Sequence, residues 1–239
     1  MTLAEKTSGA DDRIFTPRRG YDIAAPHYES WYWFKFWRLN EAPIVRHWLK
    51  SLKPGLGLDA GSGIGTYIPD ILEFWHRCVA VDISAGMLRI SKSKAELHTN
   101  GSRTRYIQAD ISRLPFGESV FDWVLCSRVL SHIENVEYVL REFARVLRSG
   151  GECLISDVHP EHPYTRVAIP TGPKKIAIET YKHPLEEMES IVASHQFRLV
   201  SLDEYYLDDL REKPPITTFE KLYRHPDNAV FYVLRLMKI

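Results

Sequence analysis

The chain has 239 residues, 44% hydrophobic and 26% charged, which suits one compact α/β domain with enough apolar material for a full core. Lysine plus arginine and aspartate plus glutamate number 31 each, so no overall field draws the protein to nucleic acid or to an anionic membrane. No stretch approaches the roughly 18 consecutive apolar residues of a membrane span, and "MTLAEKTSGADDR" lacks the apolar centre of a signal peptide, so a cytoplasmic location is expected.

Residues 1–20 are polar and read as a flexible N-terminus. The segment "YDIAAPHYESWYWFKFWRL" then concentrates Tyr21, Tyr28, Trp31, Trp33, Phe34 and Trp37 ahead of Pro43 and a helix bearing Ile44, Val45, Trp48 and Leu49. That is more aromatic surface than one exposed helix can carry. Residues 21–53 are therefore expected to form a helical lid over a ligand site, against the plainer reading of a helix packed on a sheet edge. On the lid reading the domain at 54–239 folds without residues 1–37.

Five strand-like runs follow: "GLGLDAG" (55–61), "CVAVDIS" (78–84), "TRYIQADIS" (104–112), "FDWVLCSRVL" (121–130) and "GECLISDVHP" (151–160). Between them the apolar period is helical. Tyr67, Ile68, Ile71, Leu72 and Trp75 share one face, with Pro69 tolerated in the first turn. Ser84 is a capping residue for a helix carrying Met87, Leu88 and Ala95. "VEYVLREFARVLRSGG" presents Val136, Val139, Leu140, Phe143, Val146 and Leu147, and Gly150 is expected to stop it. Alternating βα units imply a parallel sheet with helices on both faces and right-handed crossovers.

The tail differs. A helix with Pro184 at its first position precedes "FRLVSLDEYYL" (197–207) and "NAVFYVLRLMKI" (228–239), which flank a polar insertion containing Pro214 and Pro215. With no helix expected between them, the two runs should pair antiparallel at one edge of the sheet. Cys78, Cys126 and Cys153 have no metal-ligand spacing and sit inside strand-like runs, so buried free thiols and no metal site are expected.

The turn "GLDAGSGIGTY" offers Gly61, Gly63 and Gly65, where a ligand can touch bare backbone and the chain can reach positive φ. A dinucleotide fingerprint would need a glycine where Thr66 stands. Asp59 at the strand end would repel a pyrophosphate and welcome a cation. The turn thus favours a cationic, phosphate-free cofactor.

Taken together, "LDAGSGIG", "VAVDISAGML", "IQADISRLPF", "FDWVLCSRVLSHIEN" and "LREFARVLRSGGECLISDVHP" resemble the ordered motifs of class I S-adenosylmethionine-dependent methyltransferases, in the small-molecule branch with ubiquinone, menaquinone and natural-product (secondary-metabolism) enzymes. The resemblance implies a doubly wound, Rossmann-like seven-stranded sheet, mostly parallel and ending in an antiparallel hairpin. It implies S-adenosyl-L-methionine as cofactor: the turn Asp59, Ala60, Gly61, Ser62 and Gly63 against the methionine portion, and Asp82 accepting from both ribose hydroxyls. Asp110 would receive the adenine amine with Ile111 donating from its backbone, Ile83 and Met87 would cover the ring, and Ser127 with Arg128 would run beneath the methionine tail. Taken alone, Asp82 or Asp110 reads as a turn cap, Met87 as core, and Arg128 as a surface ion pair.

Methyl transfer needs a base only where the acceptor must lose a proton. Candidates are His159, which reads as better placed over the transferred methyl, and His132, both just past strand ends, with Tyr21 beside them in the catalytic set; the plain reading of His132 is a structural hydrogen bond. Tyr28, Trp33 and His159 are the candidate substrate contacts, and aromatic walls suit a flat or lipophilic acceptor such as a quinone, phenol or isoprenoid. The expected partner is that small molecule, with no nucleic acid; the oligomeric state, a homo-oligomer included, is left open. A nicotinamide oxidoreductase is disfavoured by Thr66. An RNA or protein methyltransferase is disfavoured by "CSRV" standing where an Asn-Pro-Pro-Tyr-like tetrapeptide would. A cofactor-binding protein of this fold that supports another reaction remains the alternative.

Overall fold

The computed structural model describes residues 14–74, 76–97, 101–163, 166–216 and 219–239. Residues 1–13 of the expected flexible N-terminus and Trp75 of the first helical face lie outside these. The chain opens with β1 (Ile14–Phe15), α1 (Pro17–Ala24), a 3₁₀ turn over Ala25–Ser30, α2 (Tyr32–Asn40) and α3 (Ala42–Ser51). The βα units follow as β2 (Leu56–Ala60), α4 (Ile68–Glu73), β3 (Arg77–Asp82), α5 (Ala85–Ala95), β4 (Thr104–Gln108), β5 (Phe121–Ser127), α6 (Val136–Val146) and β6 (Leu147–Val158). A hairpin of β7 (Val167–Thr171) and β8 (Lys174–Ile178) precedes α7 (Leu185–Ser194), β9 (Phe197–Tyr205), α8 (Glu220–Arg224) and β10 (Phe231–Lys238).

The main sheet has the order β4-β3-β2-β5-β6-β10-β9, parallel from β4 to β6, with β10 antiparallel to both neighbours. This is the seven-stranded methyltransferase sheet the motifs implied. One face buries α6 and α7 through Val139, Leu140, Phe143, Met188 and Val192. The other buries α3, α4 and α8 through Val45, Leu49, Ile68, Ile71 and Leu222. Both faces of the parallel strands are covered, which is why their sequences are apolar runs rather than alternations. The three cysteines are buried and free, as expected.

Several details depart from the sequence reading. Ser84 caps α5 as expected, accepting from Met87 N. Gly150, however, does not stop α6, which ends at Val146 and passes directly into β6. A glycine stop is unnecessary there because other groups satisfy the terminal carbonyls: Lys238 Nζ donates to Ala144 O, Ser119 N to Arg145 O and Val120 N to Val146 O. Pro184 is the cap of α7 rather than its first helical residue. The connection between β9 and β10 does contain a helix, α8, since Phe219 and Leu222 are buried in the core rather than solvated.

The N-terminal aromatic run divides. Phe36, Trp37, Val45, Trp48 and Leu49 belong to the sheet-packed core, so a chain lacking residues 1–37 would lose Phe36 and Trp37 from it. Tyr21, Tyr28 and Trp31 instead pack with Ala24, Ile169, Ile176 and Ile178. Those isoleucines come from a small sheet, β1-β8-β7, which pairs Ile14 with Ala177 and Phe15 with Ile178 in parallel. It has no counterpart in the sequence reading, because β1 is two residues long and pairs with β8 across most of the chain, and the five-residue strands of the β7–β8 hairpin are too short to carry a clear period.

Candidate functional site

The carboxyl ends of β2, β3, β5 and β6 open on one side of the sheet, where ligands bind in such folds. The turn after β2 places Gly61 at φ +79° and Gly63 at φ +53°, the left-handed region that favours glycine. A Cβ on Gly61 would stand 2.2 Å from Val129 Cγ2, so the close approach also demands glycine. Gly61 N and Ser62 N donate to Val81 O at 2.7 and 2.9 Å, tying the turn to β3. Asp82, at the end of β3, accepts from Gly63 N and Ser84 N, each at 2.8 Å.

A cavity of about 440 Å³ lies over this turn. Gly61, Ser62, Gly63, Asp82, Ile83, Met87, Asp110, Ile111, Ser127 and Arg128 line it, so the structure brings these predicted residues together. Asp59 and Ala60 lie behind the lining, in the buried strand. Asp110 also accepts from Ser112 N and Oγ, and so caps its turn as well as facing the cavity. Glu134, Asn135, Tyr138, Glu179 and Tyr181 also line it and were not singled out from sequence. "HIEN" beside His132 carried a signal for the first two; nothing local marks Glu179 or Tyr181.

The cavity is held at an acidic poise. Burial pushes Asp82 up to about 6, against the pull of the Ser84 and Gly63 N–H groups. Asp59 is pushed up to about 7, first by burial and then by Asp82. Asp59 Oδ2 and Ser62 Oγ have no hydrogen-bond partner among the described residues. Unpartnered buried acceptors beside a buried carboxylate pair are suited to a cation with donor hydrogens.

A second cavity, of about 560 Å³, adjoins the first. Tyr21, Tyr28, Arg128, His132 and Tyr181 line both and form the shared wall. The predicted substrate residues Tyr28, Trp33 and His159 line the second cavity, with Trp31, Trp37, Phe219, Tyr232 and Asp157. Asp157 accepts from Ser131 N and Val158 N and is pushed up to about 6 by burial.

The wall contains an ordered hydrogen-bond chain. His132 Nδ1 lies 2.8 Å from Glu179 O, a carbonyl that can only accept, so Nδ1 carries the proton. Nε2 is then the acceptor, and Tyr21 Oη donates to it at 2.7 Å. Burial lowers the His132 pKa, keeping the imidazole neutral, and raises that of Tyr21, keeping the phenol protonated. His159 is arranged differently. Its Nδ1 accepts from Glu161 N at 3.2 Å, and its Nε2 lies 2.9 Å from Glu204 Oε1, out of line for a hydrogen bond.

Arg128 is not a surface residue. It adopts φ +59°, a strained backbone for a side-chain-bearing residue, and its Nε lies 3.0 Å from Glu41 Oε2. Glu41 is fully buried and also accepts from Tyr67 Oη and from Ser127 and Ser156 Oγ. The guanidinium stands over the Trp37 ring at 5.7 Å. Glu41 thus ties the start of α3 to the ends of β5 and β6 and fixes the arginine in the wall. Sequence reasoning missed it because a glutamate at a helix start reads as a solvated charge.

Residues 58–155 match the model of a family described as a methyltransferase domain. The chain is 32% identical over 126 residues to a demethylmenaquinone methyltransferase of Mycobacterium tuberculosis, covering 52% of this chain and 47% of the relative. It spans a third to a half of the length of the curated relatives it matches. Among solved structures, the [4+2]-cyclase SpnF aligns at a TM-score of 0.67 and 16% identity over 94% of this chain and 98% of its own. An S-adenosylmethionine-dependent methyltransferase from Mesorhizobium loti aligns at 0.63 and 19% identity over 83% of this chain and 97% of its own.

Proposed function

We propose that this chain, whose residues 58–155 form a class I methyltransferase domain, binds S-adenosylmethionine in the glycine-turn cavity and transfers its methyl group to a small acceptor in the aromatic cavity. The observation that carries the reading is the shared wall, which brings two cavities of ligand size into contact at a tyrosine–histidine pair. The glycine turn would hold the methionine portion, with the charge of Asp59 acting from behind it, Asp82 the ribose hydroxyls, Asp110 and Ile111 the adenine edge, Ile83 and Met87 its faces, and Ser127 with Arg128 the tail. The acceptor class is a quinone, phenol, isoprenoid or similar natural product, chosen by the aromatic lining.

The cofactor supplies an activated methyl group, and the chain's own work is orientation, exclusion of water and removal of one proton. His132 is the base in this account, because it is neutral and its acceptor nitrogen faces the wall. An acceptor hydroxyl can hand its proton to Tyr21 Oη as Tyr21 passes its own to His132 Nε2. The leaving proton ends on the imidazole. His159 is a wall contact instead, since the lone pair of its Nδ1 is already engaged.

A second reading is favoured by one observation: a solved chain of this fold over 94% of the present length is a [4+2]-cyclase. On that reading the cofactor cavity is kept and no methyl moves. Incubation with methyl-labelled cofactor and a panel of phenols, quinones and isoprenoids separates the two. Label in an acceptor supports transfer; tight cofactor binding without label in any acceptor supports the second reading.

A further inference from the structure

The two cavities have opposite electrostatic character although the chain as a whole is balanced. Among the described residues the glycine-turn cavity is lined by four carboxylates, Asp82, Asp110, Glu134 and Glu179, against one cation, Arg128. Among the same residues the aromatic cavity is lined by four cations, Arg128, Arg166, Lys175 and Lys182, against one carboxylate, Asp157. The first pattern suits a cationic cofactor; the second calls for a ligand of the other sign.

The charges of the aromatic cavity are also sorted by depth. Asp157 is 2% exposed and Arg128 is already engaged by Glu41, so the deep end carries no spare positive charge. Arg166, Lys175 and Lys182 are exposed, and among the described residues the lining carries no carboxylate besides the buried Asp157. Lys182 Nζ spends one donor on His162 O at 3.2 Å and keeps two. Lys175 stands on β8 opposite Pro170, and both line the cavity, so the hairpin presents its charge inward along the rim.

We infer that the acceptor is an amphiphile with an apolar, aromatic-sized body and an anionic group, carboxylate or phosphate, held at the rim by Arg166, Lys175 and Lys182. This rests on the proposed acceptor role of the aromatic cavity. The body lies among Tyr28, Trp31 and Trp33, and the reacting atom meets Tyr21 and His132 at the deep end. The buried carboxylate of Asp157 enforces that orientation, because it repels an anion that enters head first. Partial exposure leaves the rim interaction open to screening by salt.

The test uses matched probes whose binding is read from quenching of the cavity tryptophans with S-adenosylhomocysteine present: naphthoate against its methyl ester, and naphthyl phosphate against naphthol. The expected result is that an anionic probe binds about tenfold more tightly than its neutral match, a preference that fades in high salt. The pair with the larger preference identifies the anion as carboxylate or phosphate. In the Arg166→Gln/Lys175→Gln/Lys182→Gln variant the preference should vanish while affinity for S-adenosylhomocysteine is unchanged. Absence of any anionic preference in the wild type, or a preference that survives the triple substitution, overturns the inference. Loss of S-adenosylhomocysteine binding by the wild type would instead defeat the proposed function, which the calorimetric titration of that ligand alone reads separately.

Discussion

Tyr21 and His132 stand far apart in sequence, and their hydrogen bond is the contact on which the chemistry turns. If His132 is the base, His132→Gln should lower turnover by roughly 10²–10⁴ with little change in affinity for S-adenosylhomocysteine. His159→Gln should cost less than about tenfold, because its ring already accepts from Glu161 N. Stopped assays on the two variants side by side check this; equal losses would show that the pair has been misassigned. The acid limb of the pH–rate profile should lie below the ordinary histidine value near 6.5, since burial lowers the His132 pKa and the base works only when neutral. Sequence placed both histidines past strand ends and favoured His159 as the base, with His132 as its control. The choice depends on the Glu179 carbonyl, which a distant segment delivers.

At the scale of elements, α1 and the 3₁₀ turn behind it are a cover that rests on the cofactor side of the domain, while α2 and α3 belong to the core. Asp22 makes the polar part of the junction, beside an apolar cluster in which Ala25, Tyr21 and Tyr28 pack on Ile64 and Met87: its Oδ1 accepts from Ser84 Oγ at 2.6 Å and from Gly86 N at 2.8 Å, at the start of α5. Glu29 adds an exposed pair with Lys94 at 2.6 Å, worth little by itself. We therefore narrow the proposed lid to the residues before α2. Asp22→Ala should cost about 0.5–2 kcal/mol of docking, as the loss of a helix cap does. It should speed protease cleavage between Phe15 and Trp31 without lowering the midpoint of global unfolding by more than a few degrees. S-adenosylhomocysteine should slow that cleavage in the wild type; cleavage indifferent to both ligand and variant would make α1 ordinary core. The strand–helix motifs from β2 to β6 were legible because each element advertises its own period and cap. The cover was not, because β1, β7 and β8 are short, the β1–β8 pairing is non-local, and Asp22 looks like any surface acid.

For the molecule as a whole, three buried carboxylates among the described residues are poised above their ordinary range: Asp59 at about 7, Asp82 at about 6 and Asp157 at about 6. A carboxyl whose folded pKa is raised binds its proton more tightly in the native state than in the unfolded chain. Lowering the pH from about 8 towards 5 therefore stabilises the native state through these groups, until the unfolded carboxylates near 3.9 also protonate. His132 works the other way below its unfolded value near 6.5, since its folded pKa is lowered. With three groups against one, the ligand-free protein should melt a few degrees higher near pH 6 than near pH 8, as differential scanning calorimetry can read. A cationic ligand held against ionised Asp59 and Asp82 should reverse the trend, so that the thermal shift given by S-adenosylmethionine is larger at pH 8. A larger shift at pH 6 would mean that the acidic cavity is not where the cation binds.

The most direct test is calorimetric titration of the wild type and of Asp82→Ala with S-adenosylhomocysteine, with NAD as the control ligand. The account predicts one binding site in the wild type, a loss of about 1.5–3 kcal/mol in the variant as a charge-assisted contact disappears, and weaker binding of NAD. Unchanged affinity in Asp82→Ala, or tighter binding of NAD, would contradict it.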